Sequence, residues 1–365
     1  MKKRILMLVD GLPTGSAEKA VLTLASGLVA LGHHVAIFSL RSVCHYTLPE
    51  GVVYQVITDK HRSSWLNINE SKRRAQHLDE IISRTQKFEG DYDLVISHLY
   101  NSDKIVARCR SLDQNKVWFC LHEMLSVSSD LSRSGYSGRI NKKSIQRVYQ
   151  QRNIIAVSQS ILDDIKQTYQ IEPARSAIIG NPYNIAEIQN QMNEPFTPPE
   201  EAYLLHVGGL DQNKRHDRLL EAYALSGVTL PLVLLGESET AQLGTLKAQA
   251  QTLGIEDRII FQGYCANPYP WMRKAKALVQ SVDTEGFGDA ALEAMLCGTP
   301  VISTRSATGT VALLKGDLER GLADANAPAL AEKIREVVTN PPDVSAVDFS
   351  QFETQQVCQQ YLALN

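Results

Sequence analysis

Ser281-Val282-Asp283-Thr284-Glu285-Gly286-Phe287-Gly288-Asp289-Ala290-Ala291-Leu292-Glu293-Ala294-Met295, continued by Leu296-Cys297-Gly298-Thr299-Pro300-Val301-Ile302-Ser303, is the stretch on which the reading turns. Lys276 to Gln280 before it reads as a strand end, Ala290 to Leu296 is rich in helix formers, and Pro300 to Ser303 reads as the next strand. The pattern is strand, Gly-rich loop, helix, strand: one βαβ unit. Gly286 and Gly288 allow close approach of backbone to a ligand. A helix starting near Asp289 turns unpaired N–H groups toward the loop, where an anion can sit. Glu285 and Glu293, eight positions apart, would repel that anion, so they suit neutral hydroxyls on either side of it. Hydroxyls flanking a phosphate describe a nucleotide sugar. The alternative is a capping Glu and a solvated Glu around a tight turn.

Glu-Gly-Phe-Gly, four residues, Glu-Ala-Met, then Cys-Gly-Thr-Pro-Val-Ile-Ser resembles the signature of retaining GT-B glycosyltransferases of family 4. Gly263-Tyr264-Cys265-Ala266-Asn267-Pro268-Tyr269-Pro270-Trp271-Met272 resembles the usual run into it. The resemblance implies an α/β chain with two Rossmann-like domains facing each other across a cleft, and a C-terminal helix that crosses back to the first domain. The expected domains are 1–182 plus 349–365, on the acceptor side, and 183–348, which holds the nucleotide sugar.

Two domains of ordinary size fit 365 residues. No apolar run approaches the ~20 residues of a membrane span, and Asp10 cuts the N-terminal apolar run too short for a signal peptide. Six scattered cysteines without a CxxC pair fit a reducing cytoplasm better than a disulfide framework or structural zinc. Residues 1–180 hold 24 Lys and Arg against 17 Asp and Glu; residues 181–365 hold 13 against 23. The basic first half suggests an anionic partner. In residues 126–152 the basic side chains, among them Arg133, Arg139, Lys142, Lys143 and Arg147, suit an anionic acceptor or an acidic membrane surface if they are not simply a solvated face. The first part of that segment is expected to be a loop. No nucleic-acid partner is expected, and the expected location is cytoplasmic, at most peripheral at the inner face of the membrane.

Along the chain, Arg4–Asp10, a helix over 17–31 and His34–Leu40 resemble a Rossmann start but lack GxGxxG. Where the family carries Gly-Gly-Ala-Glu near the donor phosphates, this chain has Gly15-Ser16-Ala17-Glu18. His122, after the strand 118–121, matches the family histidine that contacts the donor sugar; His98, also at a strand end, has weaker support. Residues 184–202 read as a linker. The second domain opens with 202–207 and Gly208-Gly209-Leu210-Asp211-Gln212-Asn213-Lys214-Arg215. Lys214 matches the family lysine on the diphosphate, but Gly209 stands where the family has arginine, and Arg215 is the candidate to compensate. The loop Glu237-Ser238-Glu239 should face the cleft. Ser303 to Gly309 reads as a loop, and after Gly309, Thr310-Val311-Ala312 replaces the family's Pro-x-Glu.

The resemblance implies transfer of a hexosyl unit, with retention, from a nucleotide sugar, UDP favoured, to a glycan or lipid-linked acceptor, in lipopolysaccharide core or capsule synthesis. Glu285 would hold the hexose hydroxyls and Glu293 the ribose. Gly286, Phe287, Gly288 and Asp289 would line the sugar and phosphate pocket, and Tyr264 the base. Glu285, His122 and Lys214 are the candidate catalytic residues. No His/Cys cluster has ligand spacing, so no metal or cofactor is expected. The rival readings are an inactive nucleotide-sugar-binding regulatory subunit and a GT-B epimerase.

Overall fold

Alternation of short apolar strands with helices builds two parallel sheets. The computed structural model describes residues 2–57, 70–127, 142–200, 202–237 and 240–364. These divide into two units, one of residues 1–183 and 350–365, the other of residues 184–349.

The first unit runs β1 (Arg4–Val9), α1 (Ser16–Ala30), β2 (His34–Ser39), β3 (Val52–Val56), α2 (Glu70–Glu89), β4 (Leu94–His98), α3 (Tyr100–Val106), β5 (Val117–Leu121), α4 (Lys142–Tyr149), β6 (Asn153–Ala156), α5 (Gln159–Tyr169) and β7 (Arg175–Ile178). Its sheet has the order β3-β2-β1-β4-β5-β6-β7. Ile5 to Val9 are all buried, as a central parallel strand covered on both faces requires. The order reverses between β1 and β4, which opens a crevice at the carboxyl ends of those strands.

The second unit runs α6 (Ile185–Gln191), β8 (Leu204–Val207), α7 (His216–Ser226), β9 (Leu232–Leu235), α8 (Thr240–Thr252), β10 (Ile259–Gly263), α9 (Tyr269–Lys274), β11 (Ala277–Gln280), α10 (Asp289–Leu296), β12 (Val301–Thr304), α11 (Thr308–Leu313), β13 (Leu322–Ala323) and α12 (Ala327–Thr339). Its order is β10-β9-β8-β11-β12-β13, with the reversal between β8 and β11. Leu219, Leu234, Val279, Ile302 and Leu330 belong to its core; burying a side chain of this size contributes ~1.5–3 kcal/mol.

The chain then returns to the first unit as α13 (Thr354–Leu362). Phe352 O accepts from Tyr183 N, and Tyr183 O accepts from Thr354 N. The Cys358 thiol points at Leu24 O on α1. A Cβ on Gly27 would lie 2.7 Å from that sulfur, so the glycine is what lets the two helices approach.

Two local expectations are corrected. Residues 184–202 are not all linker: Asn184 caps α6, its side chain accepting from Glu187 N at 3.1 Å. Thr308 and Gly309 are not the end of a loop but the start of α11. Within 126–152, residues 142–149 form α4, anchored by buried Ile145, Val148 and Tyr149, while Arg133 and Arg139 lie outside the described residues, as do Ser238 and Glu239. The sequence reading leaves 240–252 unassigned; it is α8.

Candidate active site

The site of the second unit is built where its strand order reverses. The loop after β8 carries Gly208, Gly209 and residues 210–215, and the loop after β11 carries 281–288. Asn213 joins them. Its amide donates to Thr284 O at 2.8 Å, its Oδ1 accepts from Thr284 N and Oγ1 at 3.1 and 2.8 Å, and its carbonyl accepts from Asp283 N. Ser281 Oγ donates to the carbonyls of Lys214 and Arg215. These bonds bring Lys214 Nζ to 2.8 Å from Glu285 Oε2. Burial works against the ammonium, but Glu285, with Asp211 and Asp289 assisting, outweighs it and holds the Lys214 pKa above its usual value.

Glu285 is fixed from its other side by α11. Its carbonyl accepts from Gly309 N at 2.8 Å and from Thr308 Oγ1. Thr310, which replaces the family proline, donates from its buried hydroxyl to Gln280 Oε1 at 3.0 Å. Gly288 turns into α10 at φ +96, a left-handed conformation suited to glycine. Behind α10, Gly298 N bonds Met295 O and Thr299 N bonds Ala294 O, a Schellman ending. Phe287 is buried.

Gly208, Gly209, Lys214, Glu285, Gly286, Phe287, Gly288 and Asp289 thus lie on two adjoining loops and the start of α10. Glu293 sits one turn into α10, where Tyr269 donates its hydroxyl at 3.0 Å. Tyr264 is 59 % exposed and follows β10, two strands out from β8. Arg215 stands apart from the lysine's arrangement. Its guanidinium is engaged by Asp217 at 2.9 Å and Asp283 at 3.1 Å, and Arg218 shares Asp283 at 2.5 Å. The expected compensation for Gly209 therefore meets two carboxylates already in place. A Cβ at Gly209 would meet only Glu237 O, at 3.8 Å, so backbone crowding does not explain the missing arginine.

The remaining candidates belong to the first unit. Gly15 exchanges both its backbone groups with the Tyr46 hydroxyl, at 2.9 and 2.8 Å, and Ser16 begins α1. His122 Nε2 is 3.0 Å from His98 Nδ1. Burial lowers both imidazoles, His122 to about 4, against the opposing hydrogen bond of Asn181. Cys120 completes, among the described residues, a group of three whose ligand atoms lie within 4.8 Å of one another. Burial pushes its thiol up to about 12, and the Tyr361 hydroxyl lies 3.4 Å from the sulfur, so the thiol is held protonated with a partner of its own. One Asp-x-Asp, Asp91-Tyr92-Asp93, precedes β4 at the amino end of the strands, away from the crevice at their carboxyl ends, and Asp93 there accepts from Arg4 N at 2.8 Å. His98 and Asn213 are the residues whose importance sequence reasoning underrates. A histidine ending a strand was the one available signal for the first, and nothing marked the second.

Among the described residues no helix is long and apolar enough to cross a membrane. Residues 187–355 match the model for glycosyl transferases group 1, and residues 17–187 that for glycosyltransferase family 4. The chain is 24 % identical, over 86 % of its length and 84 % of the relative's, to the N-acetylgalactosamine-N,N'-diacetylbacillosaminyl-diphospho-undecaprenol 4-alpha-N-acetylgalactosaminyltransferase of Campylobacter jejuni. Its fold resembles that of Anabaena HepE in complex with UDP and glucose, with a TM-score of 0.76, 19 % identity and coverage of 99 % and 98 % of the two chains. It also resembles the apo form of the lipopolysaccharide outer core galactosyltransferase WaaB, with a TM-score of 0.70, 19 % identity and coverage of 99 % and 98 %. With the two models together spanning residues 17–355 and both sheets parallel and doubly wound, the chain belongs to the group 1 glycosyltransferases of GT-B fold.

Proposed function

We propose that this glycosyltransferase moves a hexosyl unit from a nucleotide sugar, a UDP-sugar in preference, to a hydroxyl of a glycan or lipid-linked acceptor of the cell surface, with retention and without a metal ion. The observation that carries the reading is the Lys214–Glu285 pair at the strand-order reversal of the second unit. A diphosphate arriving there exchanges one anionic partner of Lys214 for another and releases Glu285 to hexose hydroxyls. The amides opening α10 face the same loop and offset the charge that develops on the leaving group. Glu293, oriented by the Tyr269 hydroxyl, takes the ribose. His122 serves the sugar as a neutral imidazole, since burial holds it uncharged at physiological pH.

The UDP preference draws support from HepE, described in complex with UDP and glucose, and the surface-glycan acceptor from the named activities of the Campylobacter relative and WaaB. Contact with an acidic membrane surface fits the basic first half of the chain, and a cytoplasmic site of action follows from such substrates. The test is calorimetric titration of UDP, GDP and ADP, without added metal, into the wild type and Glu293→Ala. One nucleotide binds, and the substitution weakens it by about thirty-fold or more. Absence of binding by all three at millimolar concentration sinks the proposal in favour of a non-catalytic role.

A further inference from the structure

The first unit has a crevice of its own, at the reversal between β1 and β4. A cavity of about 260 Å³ opens there, lined by Asp10 after β1, Arg41 after β2, Asn101 and Lys104 on α3 after β4, and Glu70 and Arg74 in the first turns of α2. Four separate segments converge on one space at the carboxyl ends of adjoining strands, where ligands of open parallel sheets bind.

Among the described residues the charges in this cavity do not cancel: three cations face two carboxylates. Arg41 pairs closely with Asp10, at 2.8 Å. Arg74 reaches Asp10 and Glu70 at 3.9 Å and donates to Leu40 O at 3.0 Å, its one short bond among the described residues. Lys104 has no carboxylate within 4.0 Å among the described residues; its ammonium lies 4.9 Å from the centre of the Tyr100 ring. Burial lowers the Lys104 pKa despite Asp10 and Glu70, and Arg74 and Arg108 lower it further. A half-buried amine under such stress gains from an added anion. Two guanidinium forks and an ammonium set around one volume match the several oxygens of a phosphate better than the two of a carboxylate.

We propose that this pocket binds a phosphate or diphosphate group, and that the acceptor of the transfer is a phosphorylated molecule held by that group. The second clause rests on the transferase reading above; the first stands without it.

The experiment titrates pyrophosphate into the full chain by calorimetry at low salt, for the wild type, Lys104→Gln, Glu70→Gln and Lys214→Gln, with cosedimentation on phosphatidylglycerol vesicles in parallel. Lys104→Gln should weaken one pyrophosphate site about tenfold or more. Glu70→Gln, at a carboxylate half exposed to solvent, should strengthen that same site. Lys214→Gln should leave it unchanged. If vesicles bind in a Lys104-dependent way and pyrophosphate does not, the phosphate belongs to a lipid headgroup and the pocket stands. Folded Lys104→Gln with unaltered binding of both probes overturns the proposal, and so does a Glu70→Gln that binds no tighter. Should the nucleotide titrations fail while Lys104-dependent binding persists, only the assignment to an acceptor falls.

Discussion

Replacing Gly309 by alanine should impair the enzyme without changing any side chain placed against substrate. A Cβ on Gly309 would stand 2.5 Å from both the carbonyl carbon and oxygen of Gly286, and against Phe287 N. Real Cβ contacts essentially never fall below 3.0 Å, so one backbone must retreat by at least about 0.5 Å; these are main-chain atoms with no rotamer to yield. Overpacking of this kind costs ~1–3 kcal/mol. The retreat falls on the loop whose Glu285 carbonyl is tied to Gly309 N, which draws the carboxylate away from Lys214. A misplacement approaching 1 Å in a catalytic arrangement costs ~10²-fold in rate. The assay is kcat/KM for donor turnover beside thermal unfolding of Gly309→Ala. The expected result is a fall of about one to two orders of magnitude in kcat/KM, with unfolding lowered by several degrees at most. Wild-type kcat/KM in the variant would refute the argument that α11 sets the position of Glu285.

Lys214→Met should lower kcat/KM by ~10²-fold or more, whereas Arg215→Met, already neutralised by Asp217 and Asp283, should cost under tenfold; equal losses in steady-state kinetics would contradict the division of labour. Tyr269→Phe should weaken nucleotide binding about three- to tenfold by calorimetry, because Glu293 loses the hydroxyl that orients it; unchanged affinity would remove Glu293 from the site. Burial lowers the imidazoles of His98, His122, His206 and His216, the last to about 4 with help from Lys214. The unfolded chain therefore binds protons, below its ordinary histidine pKa of 6.5, that the folded one refuses. Stability is complete above that value and falls as pH drops toward 4. His216, 3 % exposed, alone contributes a loss of roughly 3 kcal/mol across the window. Buried Asp103, raised chiefly by burial, works in the opposite direction, but one carboxyl stands against four histidines. Urea unfolding at pH 7.5 and 5.0 checks the sign: equal or greater stability at the lower pH would refute it.

The fold was legible because its signals are local. A buried strand such as β1 is a continuous apolar run, and the 281–303 stretch carries loop, helix and strand in order. Short elements escaped where polar residues mask them. In α6 the Asn184…Glu187 spacing was a capping signal, overlooked beside three nearby prolines. In α8 few residues are buried, so no apolar stripe announces the helix. The site was legible only in part, for a similar reason. Lys214 and Glu285 could each be named, but 71 positions separate them, and their meeting depends on Asn213 joining two loops. Arg215 shows the limit most clearly. Its type suits a phosphate, and only its surroundings show that Asp217 and Asp283 reach it first.

The return of α13 to the first unit bears on the order in which the ribosome lets this protein fold. Tyr361 and Cys358, both buried, complete the packing of the first unit, against Cys120 and Leu24. Residues 184–349, by contrast, contain their own core in one uninterrupted piece. During vectorial synthesis at ~5–20 residues per second, the half made first waits with the Gly27 face of α1 uncovered while the half made second closes. The N-terminal unit, begun earliest, is therefore the last part of the molecule to be finished.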